Sequence, residues 1–438
     1  MPTRLHSRRQ TDRRRAPRTL GFLAATGIAC AIGLGALGTA ASRERPAPAP
    51  LDDQARMGIT ADYLGRAQLP SGLFPYDYDF ATGLAEDMSD VSGLNIVRQA
   101  LAVFGLVQYL QLHDSRQVRE TVARALQAFA ERSLPIGKGR VQSLLEHAGA
   151  YNRWRLWNVL RAPLDSAGLL YVPGGQGALV SGNGSYERAW PGATALALVS
   201  ELWYRRLTND ARFAPASERW AHGLVAMHVP DRGLREAPHY LSESPYVNGE
   251  AWLALVEYSL AFPNDHSVAR TLSELEEYLI RRYRGAPSLH FYHWGAMAAA
   301  RRWETTREPR LFGFIREQAD WYLQQVAPRT GEPGNSCVAV EGLSTAYRVL
   351  RTELDEQDPL MVKLRTQIER SMTHNRALQI QPGQESFKLA TGVEVHSPLF
   401  ALNAGAFMAS SAQARVQIDW AGHCLSALAR LQRAGLAR

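Results

Sequence analysis

Six glycines, each opening an apolar run, constrain this chain more than any other feature. They occur in Gly93-Leu-Asn-Ile, Gly192-Ala-Thr-Ala, Gly249-Glu-Ala-Trp, Gly295-Ala-Met-Ala, Gly342-Leu-Ser-Thr and Gly422-His-Cys-Leu. Each run is rich in Ala, Leu and Val with little charge, the pattern of a helix buried on most of its sides. Between consecutive glycines lies a more charged amphipathic stretch, near 115–132, 213–228, 267–284, 309–326 and 357–373. The middle repeats recur at about 46 residues, the length of a helical hairpin. The segment from Asp52 to Ala67 supplies the missing sixth outer partner. The expectation is all-α: twelve helices alternating between an inner and an outer ring, with short β or loop insertions.

The spacing stretches in two places. Between Leu134 and Arg188 the run Gly168-Leu-Leu-Tyr-Val-Pro-Gly-Gly-Gln-Gly reads as strand or long loop, and between Leu378 and Asp419 the chain reads as irregular or short-stranded. Long loops in a compact domain are disproportionately functional.

Ahead of this domain, Leu20 to Ala41 carries no charge and is long enough to cross a bilayer as a helix. Seven arginines precede it: Arg4, Arg8, Arg9, Arg13, Arg14, Arg15 and Arg18. They carry the excess behind the net charge of +7, so the rest of the chain is near neutral and gives no argument for nucleic-acid binding. The positive-inside rule keeps them cytoplasmic and sends everything after Ser42 outward. The expected layout is a basic N-terminus (1–19), a transmembrane anchor or signal segment (20–41), a Pro/Ala linker (42–51) and one domain (52–438). The expected location is the inner membrane with a periplasmic domain, or secreted if the segment is cleaved. Only Cys337 and Cys424 lie in the exported part, which permits one disulfide or two buried thiols.

The repeat resembles the α/α-toroid enzymes, the six-hairpin glycosidase-like group of glycoside hydrolases, uronate lyases and sugar epimerases. Leu69-Pro-Ser-Gly-Leu-Phe-Pro-Tyr-Asp-Tyr-Asp79 and Asn95-Ile-Val-Arg98 are also similar to segments of glucuronyl C5-epimerase-like C-terminal domains. The resemblance implies a cleft at one end of the inner ring, lined by residues beside the inner-helix N-termini. Those residues are Asn95 and Arg98; Tyr186, Glu187, Arg188 and Trp190; Glu243, Tyr246, Asn248 and Glu250; Tyr292, His293 and Trp294; Glu341; and Arg415, Asp419 and His423.

Glycoside hydrolysis needs a protonated carboxylic acid and a second carboxylate. Glu250 and Glu341 are the leading pair, with Glu187, Glu243, Asp79 and Asp419 in reserve. Tyr76, Tyr78, Tyr186, Trp190, Tyr246, Tyr292 and Trp294 offer faces on which a pyranose stacks. Uronate epimerisation or elimination instead needs a cation for the sugar carboxylate, from Arg98, Arg188 or Arg415. It also needs proton carriers, from Tyr292, His293 or His423. A non-catalytic scaffold of a polysaccharide export system would use the same mouth for binding alone. The chain contains no HExxH, Walker loop or GxSxG. Cys337, Cys424 and His423 invite comparison with the zinc ligands of toroidal lanthionine cyclases, but the local motifs are missing, so no metal and no cofactor are expected. The expected ligand is a polysaccharide or oligosaccharide.

Overall fold

A computed structural model describes residues 51–85, 93–138, 171–173, 175–240, 242–329 and 334–438. The expected membrane segment at 20–41 lies outside them, and among the described residues no helix is long and apolar enough to cross a membrane. Residues Pro50–Arg438 form one compact unit.

Among the described residues, twelve α-helices of 13 to 20 residues alternate between two rings. The inner ring comprises α2 (Gly93–Leu110), α4 (Pro191–Thr208), α6 (Pro245–Ala261), α8 (Leu289–Thr306), α10 (Cys337–Leu350) and α12 (Ile418–Ala434). The outer ring comprises α1 (Asp53–Ala67), α3 (Arg116–Glu131), α5 (Ala214–Met227), α7 (His266–Gly285), α9 (Pro309–Trp321) and α11 (Pro359–Ala377). Each inner helix packs on the next, and α12 packs back on α2, so the ring closes. The first outer helix completes the circle: Arg376 of α11 donates two hydrogen bonds of 2.7 Å to the Asp53 carboxylate of α1.

Burial explains the two sequence patterns. From Pro191 to Tyr204 every residue of α4 is buried, as an inner helix touched on all sides requires. In α3 the buried set Val118, Val122, Ala125, Leu126 and Phe129 falls on one stripe, leaving the opposite face to water. The opening glycines allow the inner helices to approach closely. A Cβ on Gly105 would lie 2.6 Å from the carbonyl oxygen of Gly422, so α2 and α12 meet backbone to backbone through this pair.

The two stretched intervals hold the strands. β2 (Ser133–Lys138) pairs antiparallel with β3 (Tyr171–Pro173) and β4 (Gly177–Val180). β5 (Ser386–Lys388) and β6 (Glu394–His396) form a hairpin. β8 (Gln413–Gln417) lies between β1 (Asp77–Asp79) and β7 (Met408–Ser410) and runs straight into α12. Cys337 of α10 and Cys424 of α12 are joined by a disulfide, which ties two adjacent inner helices near their N-termini.

Candidate active site

The N-termini of the inner helices converge on a cavity of ≈ 460 Å³. Its walls take Arg98 from α2, Gly192 from α4, Tyr246 and Glu250 from α6, His293 and Trp294 from α8, Val338 from α10, and Asp419, Trp420 and His423 from α12. Four outer helices carry an Asp or Ser cap whose side chain accepts a backbone N–H. Inner helices α4, α6, α8, α10 and α12 have no side-chain cap. Local groups take some of their first N–H groups, Cys337 of α10 donating to Asn335 Oδ1 and Ile418 of α12 to the Tyr76 carbonyl, and the positive ends of the helix dipoles favour negative charge at the cavity.

Glu250 is buried and its carboxylate lies over Gly192, where a Cβ would come within 2.3 Å of Oε2. Burial pushes its acid up to about 8, so at neutral pH it is a proton donor. In a closed ring of six, α6 and α12 are opposite, so Glu250 faces the helix that bears Asp419 and His423. Burial also raises the Asp419 carboxyl, against the opposing pull of Arg98, whose Nε lies 3.5 Å from Oδ2. The Arg98 guanidinium sits over the Tyr76 ring, 4.8 Å from its centroid.

Behind His423 lies Glu341, fully buried, with Oε2 2.7 Å from the His423 Nδ1. A carboxylate at that position accepts a hydrogen bond from Nδ1–H, which fixes the tautomer and leaves Nε2 as the proton-accepting nitrogen. His293 stands beside them, its ring centroid 5.7 Å from that of His423. It is 1% exposed and neither ring nitrogen has a hydrogen-bond partner. Burial, reinforced by the nearby His423, Arg430 and His290, holds it neutral well below the usual histidine range. The ligand atoms of His293, Glu341 and His423 all lie within 4.8 Å of one another. Two imidazoles and a carboxylate are donors suited to zinc or another first-row divalent ion, a rival to the expectation that no metal is needed.

Several expected site residues serve elsewhere. Glu341 does not face Glu250 across the mouth as an acid–base partner, because it is sealed behind His423. Tyr292 points away from the cavity, stacked on Tyr322 at 4.8 Å. Asn95 accepts from Gln99, which in turn binds both backbone groups of Phe74. Tyr76 is a layer behind Arg98, and Tyr78 packs edge-on against Phe80. Asp79 turns the chain by accepting from the amides of Ala81 and Thr82. Arg415 is bound to Asp77 across the β1–β8 pair, while Arg98 pairs with Asp419. Tyr186 donates to the Pro135 carbonyl, and Glu187 and Arg188 are exposed in the same short turn. Trp190 does line the cavity, fixed by its amide bond to Val180.

Glu243 and Asn248 pin a loop. Glu243 accepts from Gly233, Asn248 and Tyr278, and Asn248 accepts from the Leu234 amide. This loop carries Glu236 to the cavity wall, a residue that sequence reasoning missed together with Ser244, Gln417 and Trp420. Gln417 and Trp420 flank Asp419, so a wider window at that helix start would have found them. Glu236 lies far from any opening glycine and carried no comparable signal.

These features define an α/α-toroid with a cavity at the inner-helix N-termini, lined by aromatic and aliphatic side chains among a few ionisable ones. No family model matches the chain, and no curated protein matches it. Among solved structures it is similar to an α-1,6-mannanase of Salegentibacter sp. HEL1_6, bound to α-1,6-mannotetrose, at 11% identity and TM-score 0.52, over 88% of this chain and 100% of that one. It is also similar to an unsaturated glucuronyl hydrolase specific for heparin, at 9% identity and TM-score 0.53, over 86% and 96%. A D-mannose isomerase matches at 11% identity and TM-score 0.52, over 87% and 97%. What they share with this chain is the α/α-toroid fold.

Proposed function

We propose that this chain is a saccharide-processing enzyme that moves a proton at a carbon beside a carboxylate, the chemistry of a uronate C5-epimerase. The observation that carries the reading is the Glu341–His423 pair, a buried carboxylate holding an imidazole at a cavity wall, opposite the neutral acid Glu250. His423 Nε2 takes the C5 proton, and the electron pair of the broken C–H bond moves into the sugar carboxyl group. Arg98 holds the charge that develops on its oxygens. Glu250 returns a proton to C5 from the other side, and the reverse reaction exchanges the two roles. His293, neutral and without a partner, offers one N–H to a sugar oxygen, while Trp190, Tyr246, Trp294 and Trp420 supply apolar faces for the ring.

A second reading is hydrolysis, favoured by one observation. Glu250 as acid has a carboxylate on the opposite helix in Asp419, whose Oδ1 has no partner. One incubation of uronic-acid and neutral polysaccharides in D₂O separates the readings. Deuterium at C5 without chain cleavage supports epimerisation, and an unsaturated product moves the same proton abstraction to a lyase. New reducing ends assign hydrolysis, and binding without product assigns a scaffold. Loss of exchange on chelation, restored by a divalent metal, would overturn proton transfer by the histidines.

The location we propose is outside the cytoplasm, held by the segment at 20–41. The Cys337–Cys424 bridge supports this, because structural disulfides persist in oxidising compartments. So does the arginine-rich flank before the apolar run.

A further inference from the structure

The opposite end of the ring holds a second cavity of ≈ 220 Å³, built from the C-terminal halves of the inner helices. Five arginines line it: Arg206, Arg301, Arg348, Arg430 and Arg433. Two carboxylates accompany them, and both pair with arginines of this set, Arg206, Arg301 and Arg348. Glu257 accepts from Arg301 at 2.8 Å and lies 3.9 Å from Arg206. Glu304 pairs with Arg348 and lies 3.7 Å from Arg301.

Arg430 and Arg433 have no carboxylate within ion-pair distance among the described residues. Arg430 donates to Thr345 Oγ1 at 3.1 Å, and its Nε, buried, has no partner. Arg433 reaches only the side chains of Gln108 and Gln111 and the Gln108 carbonyl. Helix C-termini carry partial negative charge that offsets some of this excess, but that effect falls off within the last turn. A buried guanidinium with a free N–H costs more than the weak carbonyl field returns. Burial and neighbouring arginines accordingly push Arg430 down to about 9 and Arg433 to about 10.

We infer that this axial cavity binds a small oxyanion, of the phosphate or sulfate class, between Arg430, Arg433, Arg348 and the rim residue Arg206. Planar guanidinium forks match such oxygens two at a time. At ≈ 220 Å³ the cavity has room for an oxyanion and part of its hydration. The site shares no lining residue with the proposed active cavity, and the inference does not depend on the reaction assigned there.

The test is calorimetric titration of the full chain with sodium phosphate and with sodium sulfate, at ionic strength held constant with chloride. A sulfated monosaccharide is titrated in parallel. Saturable binding of one ion per chain is expected, about tenfold weaker in Arg206→Gln and lost in Arg433→Gln. Should Arg433→Gln not fold, Arg206→Gln, more than half exposed at its side chain, decides alone. Binding of the sulfated sugar as tightly as the free ion identifies a substituent on a saccharide as the source. Binding of the free ion only identifies a soluble oxyanion. No saturable heat with either ion, or equal binding by wild type and both variants, overturns the inference.

Discussion

Replacing Glu250 by Gln tests the acid on which both catalytic readings rest. Burial lifts this carboxyl from 4.5 to about 8, and the group is 4% exposed. Between those values the folded chain keeps a proton that the unfolded chain has released. The wild-type protein therefore carries the full contribution of this group below pH 4.5 and loses it progressively as the pH rises through about 8. At ~1.36 kcal/mol per pH unit the loss is roughly 3–5 kcal/mol, the lower figure allowing for water in the cavity. Gln is isosteric and does not titrate. The stability difference between Glu250→Gln and wild type, read from urea unfolding at pH 4.5, 6.5 and 8.5, should grow in favour of the variant by about that amount. The same proton should set the alkaline limb of wild-type kcat/KM near pH 8. A difference that stays constant within ~1 kcal/mol across the range would refute the desolvated acid, and with it the role of Glu250 as proton donor.

Glu341→Gln should lower kcat by ~10²–10⁴-fold with little change in KM, because His423 loses its orienting carboxylate while the cavity wall stays intact; an unchanged kcat would reduce Glu341 to packing. Gly192→Ala places a methyl on the Glu250 carboxylate, so activity should fall by ~10²-fold while circular dichroism keeps the wild-type helix content. Gly105→Ala meets backbone at 2.6 Å and should instead destabilise the fold, by roughly 1–3 kcal/mol in urea unfolding. Reducing the Cys337–Cys424 bridge, which closes a loop of 87 residues, should cost roughly 4–5 kcal/mol; an unchanged Tm in reductant would contradict this.

Periodicity alone determined the architecture of this chain. Gly93, Gly192, Gly249, Gly295, Gly342 and Gly422 marked the starts of the six inner helices, a Cβ at Gly249, Gly342 or Gly422 would meet the neighbouring inner helix, and amphipathic stripes marked the outer ones. Residues beside those glycines, among them Glu250, His293, Asp419 and His423, were legible as cavity candidates because a helix start is fixed by local sequence. Depth and direction were not. Glu341 and Glu250 each lie one residue from an opening glycine, Glu341 before Gly342 and Glu250 after Gly249, about 200° apart around the helix. The rotation about the helix axis seals Glu341 behind His423 and leaves Glu250 in the wall. Tyr292 and His293 are neighbours in sequence, so they sit about 100° apart around α8, and only the packing of α9 and α10 decided which one faced the axis. Glu236 reaches the site on a loop anchored by Glu243 and Asn248, and the five axial arginines come from four different helices. Contacts of that range follow from ring closure, which no local stretch of sequence encodes.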